Sequence, residues 1–150
     1  MNEAEQSFYV DSSDRLIDVL RDRLGLKSVK EGCGTGDCGL CAVLLNGRLV
    51  NSCLVLAAQC RGASVTTLEG LLNDPLTRKL QSKFLEHNAA QCGFCTPAML
   101  VAAKDILAHT PRPSTGQIQA GLSGVLCRCT GYYPIIQAIK EVSEEEKERS

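Results

Sequence analysis

Residues 31–41 read Glu31-Gly32-Cys33-Gly34-Thr35-Gly36-Asp37-Cys38-Gly39-Leu40-Cys41, and the fold of the first half follows from how this stretch is understood. It carries three cysteines and four glycines and shows neither a helical nor an alternating apolar period. Glycine has no Cβ, so a segment of this composition is a loop able to bring its backbone close around an object. Directly downstream, Ala42-Val43-Leu44-Leu45, then Asn46-Gly47, then Leu49-Val50 predict a β-hairpin closed by a type I′ turn. Cys53 falls on or just after the second strand, so the hairpin returns a fourth thiol towards the loop. Upstream, residues 12–14 offer N-cap side chains to an amphipathic helix on which Leu16, Ile17, Leu20 and Leu24 share a face, with Gly25 as its terminating glycine. Ser7-Phe8-Tyr9-Val10 and residues 63–67 are further β-prone runs. The first half is therefore expected to be a small mixed α/β sheet domain.

The spacing Cys33-x4-Cys38-x2-Cys41, with Cys53 after eleven intervening residues, is the plant-type ferredoxin arrangement for a 2Fe-2S cluster. Three thiolates from one loop can converge only if the backbone wraps the cluster, and its N–H groups then point at the sulfides. Zinc ribbons use C-x2-C pairs and fit this spacing less well.

Beyond Gly70 the texture turns helical. Asp74-Pro75 is an N-cap followed by proline at the first helical position, with Leu76, Leu80 and Phe84 repeating every four residues. Thr96-Pro97 repeats that start signal immediately after Cys95 and opens a helix through His109. Ser114-x-x-Gln117 is a capping box for a shorter helix through Leu122, and Pro134 opens a fourth with Ile135, Ile136 and Ile139 apolar. Residues 143–150 read as a charged, solvated tail.

These helices frame a second set, Cys92-x2-Cys95 and Cys127-x-Cys129, with thirty-one residues between the pairs. A one-residue gap cannot place two side chains on one helix face, so Cys127 and Cys129 lie in a turn leading into the last helix. Both pairs then sit near helix N-termini, where free N–H groups and the positive end of the dipole favour an anionic centre. A four-thiolate 2Fe-2S cluster is such a centre. By spacing alone, a structural zinc site with four cysteine ligands remains open.

The chain has 150 residues, 44% hydrophobic and 22% charged, with a net charge of −1, and nothing in that balance points to nucleic acid or an anionic membrane as partner. Three Phe, three Tyr and no Trp leave the cores aliphatic, and half-domains of this size usually need staples. The start is polar and acidic without an export-signal pattern, and no run reaches the ~18 apolar residues of a membrane span. Nine cysteines in a reducing cytoplasm point to metal or redox chemistry rather than disulfides.

The runs Val29–Cys41, Gln91-Cys-Gly-Phe-Cys-Thr-Pro97 and Leu126-Cys-Arg-Cys-Thr-Gly-Tyr132 resemble the small iron–sulfur subunit of the molybdenum hydroxylases, the xanthine dehydrogenase / aldehyde oxidoreductase / carbon monoxide dehydrogenase family. The resemblance covers nearly the whole chain. It implies an α+β chain: a β-grasp, plant-type ferredoxin-like N-terminal domain over residues 1–72 and an all-α four-helix C-terminal domain over 73–150, each with one 2Fe-2S cluster. Cys33, Cys38, Cys41 and Cys53 would ligate one cluster, and Cys92, Cys95, Cys127 and Cys129 the other. Molybdopterin (Mo) on a large partner subunit would feed the second cluster, then the first, then FAD on a medium partner subunit. Gln91 matches a position whose amide bonds the pterin, and Cys129 a position close to it.

Four positions depart from the family pattern: Ala98 for the usual glycine, Val125 for asparagine, and Leu40 and Ala42 in Leu40-Cys41-Ala42 for Ala-Cys-Thr. None removes a ligand, although Val125 removes an amide beside the second set. Family members also carry a strand and a turn before the segment matching residues 8–10, so either the start is placed late, a truncated start being the expectation, or the sheet lacks its first strand, which would leave residues 8–10 an unpaired edge. Cys60 reads as a small buried apolar residue, and His87 and His109 as helix C-terminal residues without a metal role. The expected function is electron transfer within a molybdopterin-dependent hydroxylase or dehydrogenase, with no substrate site on this chain. A free-standing two-cluster ferredoxin and a zinc-binding structural module are the alternatives.

Overall fold

The computed structural model of the protein describes residues 1–2 and 4–148, the side chains of 146–148 excepted. Helix α1 (Leu16–Asp18) runs on as a wider turn over Val19–Arg23, and the chain reverses at Gly25, whose φ of +68° lies in the left-handed region that favours a residue without Cβ. Leu26 N–H closes onto the Leu20 carbonyl at 2.8 Å, the long-range bond of a glycine-terminated helix. The expected N-cap is not used. The Asp14 carboxylate instead accepts the Asp11 N–H at 2.9 Å and pairs with Arg23 at 2.6 Å, and Arg15 occupies the cap position without its side chain capping the helix.

The predicted hairpin is present as β1 (Ala42–Leu45) and β2 (Arg48–Asn51), paired antiparallel with Leu45 opposite Arg48. Asn46 at φ +51° and Gly47 at φ +78° form the two-residue turn, both in the left-handed region that a type I′ turn requires. A short third strand, β3 (Val65–Thr66), pairs with the other edge of β1 in the order β2-β1-β3. The period-2 pattern sends Val43, Leu45, Val50 and Val65 to the face covered by Leu16, Ile17 and Leu20, and Ala42 and Leu49 to the opposite face against the helices.

Residues 7–10 form no strand. Tyr9 is 99% exposed, and the sheet offers these residues no neighbour; the chain near β3 is met instead by Asn2, whose N–H reaches the Val65 carbonyl at 3.0 Å.

After the short α2 (Leu68–Leu71) come α3 (Pro75–Glu86), α4 (Thr96–His109), α5 (Thr115–Leu122) and α6 (Tyr133–Glu148). Asp74 caps α3 by accepting the Thr77 N–H at 2.8 Å, and both bonds of the Ser114/Gln117 capping box form. Helix α4 is apolar on nearly all sides because it is central: Ala98 through Ala103 and Leu107 are buried among Leu80, Phe84, Ile118, Leu122, Ile135 and Ile139. Each large side chain so buried contributes on the order of 1.5–3 kcal/mol. The expected solvated tail from Ser143 is corrected. Ser143 is buried and donates to the Pro111 carbonyl at 3.0 Å, Glu145 pairs with Lys83 at 2.9 Å, and α6 continues to Glu148. Residues 149–150 of that expected tail lie outside the described residues.

Lys83 also meets Glu141 at 2.6 Å, and His87 Nε2 meets the other Glu141 oxygen at 2.5 Å, fastening α3 to α6. His87 thus ends α3 as expected but has a carboxylate partner that its sequence position did not announce.

Candidate metal centres

The loop over residues 30–41 is tied down at both ends. Arg15 bridges α1 to the loop entrance through Asp18 and Glu31, each at 2.7 Å, and Arg21 donates to the Val29 carbonyl. On the far side, Asn51 Nδ2 donates to the Gly36 carbonyl at 2.8 Å, and Ser52 donates to the Cys41 carbonyl through both its N–H at 3.2 Å and its hydroxyl at 2.7 Å. Cys53 sits in a short 3-10 turn, Ser52–Leu54, just past β2. Gly36, at φ +89°, lies where a Cβ would come within 2.4 Å of Leu54 Cδ1, so the loop packs directly against the Leu54 side chain of the turn.

Within this frame Cys33 Sγ accepts the N–H groups of Thr35 and Cys38, each at 3.4 Å. The Thr35 side chain first, and then these two N–H groups, hold its thiol at about 6, below the ordinary thiol value. Cys53 behaves oppositely: burial first, then its contact with Cys41, pushes it up to about 11. Cys38, Cys41 and Cys53 are buried, whereas Cys33 is exposed.

The second set is held by the turn before α4 and the turn before α6. Cys95 is the N-cap residue of α4, and Cys127 and Cys129 precede α6. Burial, followed by contact with Cys127, pushes the Cys95 thiol up to about 12. Burial opposes ionisation of Cys127 too, but the Thr130 hydroxyl at 3.1 Å and nearby N–H groups outweigh it, and its pKa is lowered. Cys129 is raised, first by its contact with the Cys92 thiol. The turn is closed by Tyr132, whose phenol oxygen accepts the Cys127 N–H at 3.0 Å and donates to the Val125 carbonyl at 3.2 Å.

Within each set the thiols act on one another: Cys33 with Cys38, and Cys53 with Cys41 and Cys33; then Cys95 with Cys127 and Cys92, and Cys129 with Cys92 and Cys127. Among the described residues no three His, Cys, Asp or Glu side chains converge on a point suited to one ion. A 2Fe-2S cluster takes four thiolates, and each set offers four cysteines. One further atom fits such an anionic group. Thr96 Oγ1, in the first turn of α4 beside Cys95, is buried and has no hydrogen-bond partner among the described residues. A buried hydroxyl without a partner is costly unless something at the site accepts from it.

Gln91 is exposed next to Cys92, and Cys129 is exposed as well. Cys60 lies apart from both sets, half-buried against the sheet core. Beside the second set an open groove of about 580 Å³ is lined by Gln119, Leu122, Ser123, Tyr132, Tyr133 and Ile136. Sequence reasoning missed Tyr132 and Thr96 as site residues; both stood in the motifs, but only packing shows where their hydroxyls go. Val125, the departure beside Cys127, is buried in the helical core, and its carbonyl rather than a side-chain amide serves the turn.

A 2Fe-2S iron–sulfur cluster binding domain family matches residues 1–67, and a 2Fe-2S binding domain family matches residues 67–140. The nicotinate dehydrogenase small FeS subunit of Eubacterium barkeri is 44% identical over 144 residues, covering 96% of this chain and 92% of that one. The crystal structure of quinoline 2-oxidoreductase from Pseudomonas putida 86 superposes with a TM-score of 0.87 at 45% identity, over 94% of this chain and 88% of the matched one. Aldehyde oxidoreductase from Desulfovibrio gigas gives a TM-score of 0.90 at 36% identity over 99% of this chain, which corresponds to 17% of that polypeptide. A small sheet followed by helices, carrying two 2Fe-2S binding domains, is thus the architecture of the molecule. The chain belongs to the family of small iron–sulfur subunits of the molybdenum hydroxylases.

Proposed function

We propose that this chain is the electron-transfer subunit of a molybdopterin-dependent dehydrogenase or hydroxylase. Cys33, Cys38, Cys41 and Cys53 hold one 2Fe-2S cluster in an N-terminal ferredoxin-like domain of the β-grasp type, residues 1–72. Cys92, Cys95, Cys127 and Cys129 hold the other in a four-helix domain, residues 73–150. The observation that carries this reading is the gathering of the thiols into two separate four-cysteine sets, each supplied with N–H or hydroxyl donors. It is supported by the names of the relatives, among them the nicotinate dehydrogenase small FeS subunit. A bound 2Fe-2S cluster supplies one-electron storage, taking up or releasing an electron without making or breaking a bond.

The chain's own residues do the rest. Cys33 and Cys127 are poised to ionise first, while Cys53 and Cys95 keep their protons at neutral pH until a cation displaces them, so loading releases protons. The helix N-terminus after Cys95 and the N–H groups of residues 35 and 38 stabilise the negative charge that loading leaves behind. In this reading the second set faces a large molybdopterin-binding subunit, with Gln91 hydrogen-bonded to the pterin and Cys129 beside it. The first set faces a medium FAD-binding subunit, so electrons leave in that order. The setting is the cytoplasm, where thiols stay reduced; among the described residues no helix is long and apolar enough to cross a membrane.

The test is metal and sulfide analysis with EPR of the dithionite-reduced protein purified with its partners. About four iron and four sulfide per chain and two distinct 2Fe-2S signals are expected. Zinc without sulfide, or a single signal, overturns the assignment. Two signals in a chain that never copurifies with molybdopterin or FAD would make it a free-standing ferredoxin.

A further inference from the structure

One contact joins the two cysteine loops, and neither motif announces it. The Leu126 N–H donates to the Cys38 carbonyl at 2.9 Å. Leu126 precedes Cys127, so a single hydrogen bond links a proposed ligand of the first set to the residue beside a proposed ligand of the second. The approach depends on residue 39. Gly39 is buried at φ +66°, and a Cβ built on it lies 1.9 Å from the Gly124 carbonyl oxygen, 2.8 Å from its carbon and 3.0 Å from Val125 Cα. All three obstacles are backbone atoms, and Val125 is itself buried in the helical core. No side chain can rotate out of the way; the two loops would have to part.

We propose that Gly39 is a positioning residue that sets the separation of the two thiolate sets. Its missing side chain lets the Cys38–Gly39 and Gly124–Leu126 backbones touch, and any side chain there pushes the sets apart without touching a ligand. The inference rests on reading both sets as 2Fe-2S sites. The exchange it governs is one electron lost by one centre and gained by the other, with no atom transferred. That exchange weakens steeply with separation, and the route through the Cys38 peptide and the Leu126 N–H is one hydrogen bond long between covalent segments.

The experiment compares wild type, Gly39→Ala and Gly25→Ala as loaded proteins with their partners. Gly25 shares the left-handed backbone, at φ +68°, but a methyl group on it would meet no atom within 4 Å, so it controls for backbone strain alone. Iron content and the two EPR signals are expected in all three. The splitting of those signals by coupling between the two reduced centres, which falls with the cube of their separation, is expected in wild type and Gly25→Ala and reduced or lost in Gly39→Ala. The Leu126 amide in Gly39→Ala should exchange with deuterium roughly fivefold or more faster, the effect of losing one ordinary hydrogen bond. An unchanged splitting in Gly39→Ala, or its absence from wild type showing both signals, overturns the proposal alone. Wild type without iron and sulfide overturns the cluster reading as well. Should Gly39→Ala fail to load, Leu126→Pro removes the donated N–H directly: weakened splitting supports the proposal, and undiminished splitting overturns it.

Discussion

Replacing Tyr132 by Phe takes one oxygen from the turn that presents Cys127 and Cys129. That oxygen accepts the Cys127 N–H at 3.0 Å and donates to the Val125 carbonyl at 3.2 Å. Tyr132 itself sits at φ +68°, a conformation costing a residue with a side chain on the order of 1–2 kcal/mol, so the turn is held against a bias to relax. Both bonds are only part-buried, and water replaces some of what is lost. The net value of about 1 kcal/mol per bond therefore applies rather than the full desolvation cost, which gives about 2 kcal/mol for the pair. If the turn opens by breaking these two bonds, its open population rises roughly thirtyfold. The assay is an iron-chelator challenge of the reduced protein, following the two EPR signals separately. The second set's signal should decay roughly thirtyfold faster than in wild type and the first set's at its wild-type rate. Equal acceleration of both, or no change in either, would show that the hydroxyl does not hold this turn.

Two further changes read other parts of the molecule. Thr96→Val removes the buried hydroxyl that has no partner among the described residues. Where it donates to a bound anionic centre, its loss lowers that centre's reduction potential by roughly 20–60 mV; without the centre, the variant should be at least as stable as wild type. Potentiometry and thermal unfolding of the apo-protein check the two signs, and an unchanged potential rules out the donation. Glu69→Gln tests the tie between β3, α2 and the segment before the first cysteine loop. Burial opposes the charge of Glu69, but the N–H and hydroxyl of Ser28 and the hydroxyl of Thr67 outweigh it and lower the pKa below 4.5. The carboxylate's contribution is thus complete above pH 4.5 and fades as pH falls through the lowered folded value. The stability gap between wild type and variant, from denaturant unfolding at a series of pH values, should be full at neutral pH and shrink below 4.5; a gap independent of pH refutes the assignment.

Much of the fold was legible because the punctuation is local. Asp74-Pro75, Ser114-x-x-Gln117, Asn46-Gly47 and Gly25 each act within one turn of chain, and each forms the cap or turn it predicts. The misreadings share the opposite character. Residues 7–10 have strand-forming side chains, but a strand needs a neighbour, and Asn2 meets β3 instead. Asp14 is a good N-cap residue, yet Arg23 and the Asp11 N–H take its carboxylate. The charged end of α6 looked solvated until Lys83, 62 positions before Glu145, supplied a partner.

The cysteine sets divide along the same line. Which thiols belong together, and that they sit in glycine-rich loops or at helix starts, follows from spacing, because a loop of a few residues has few ways to converge its side chains. Which thiol pairs with which, which of them ionise first, and how Tyr132 and Thr96 serve the second site depend on burial and on donors brought in by packing. The hydrogen bond between Leu126 and Cys38, and the space that Gly39 leaves for it, joins segments more than eighty residues apart. Sequence by itself determined two four-cysteine sets, since cysteine spacing is a property of short chain segments. Only the tertiary structure decided how the segments that carry them approach each other, since a distance between loops is set by the cores beneath them.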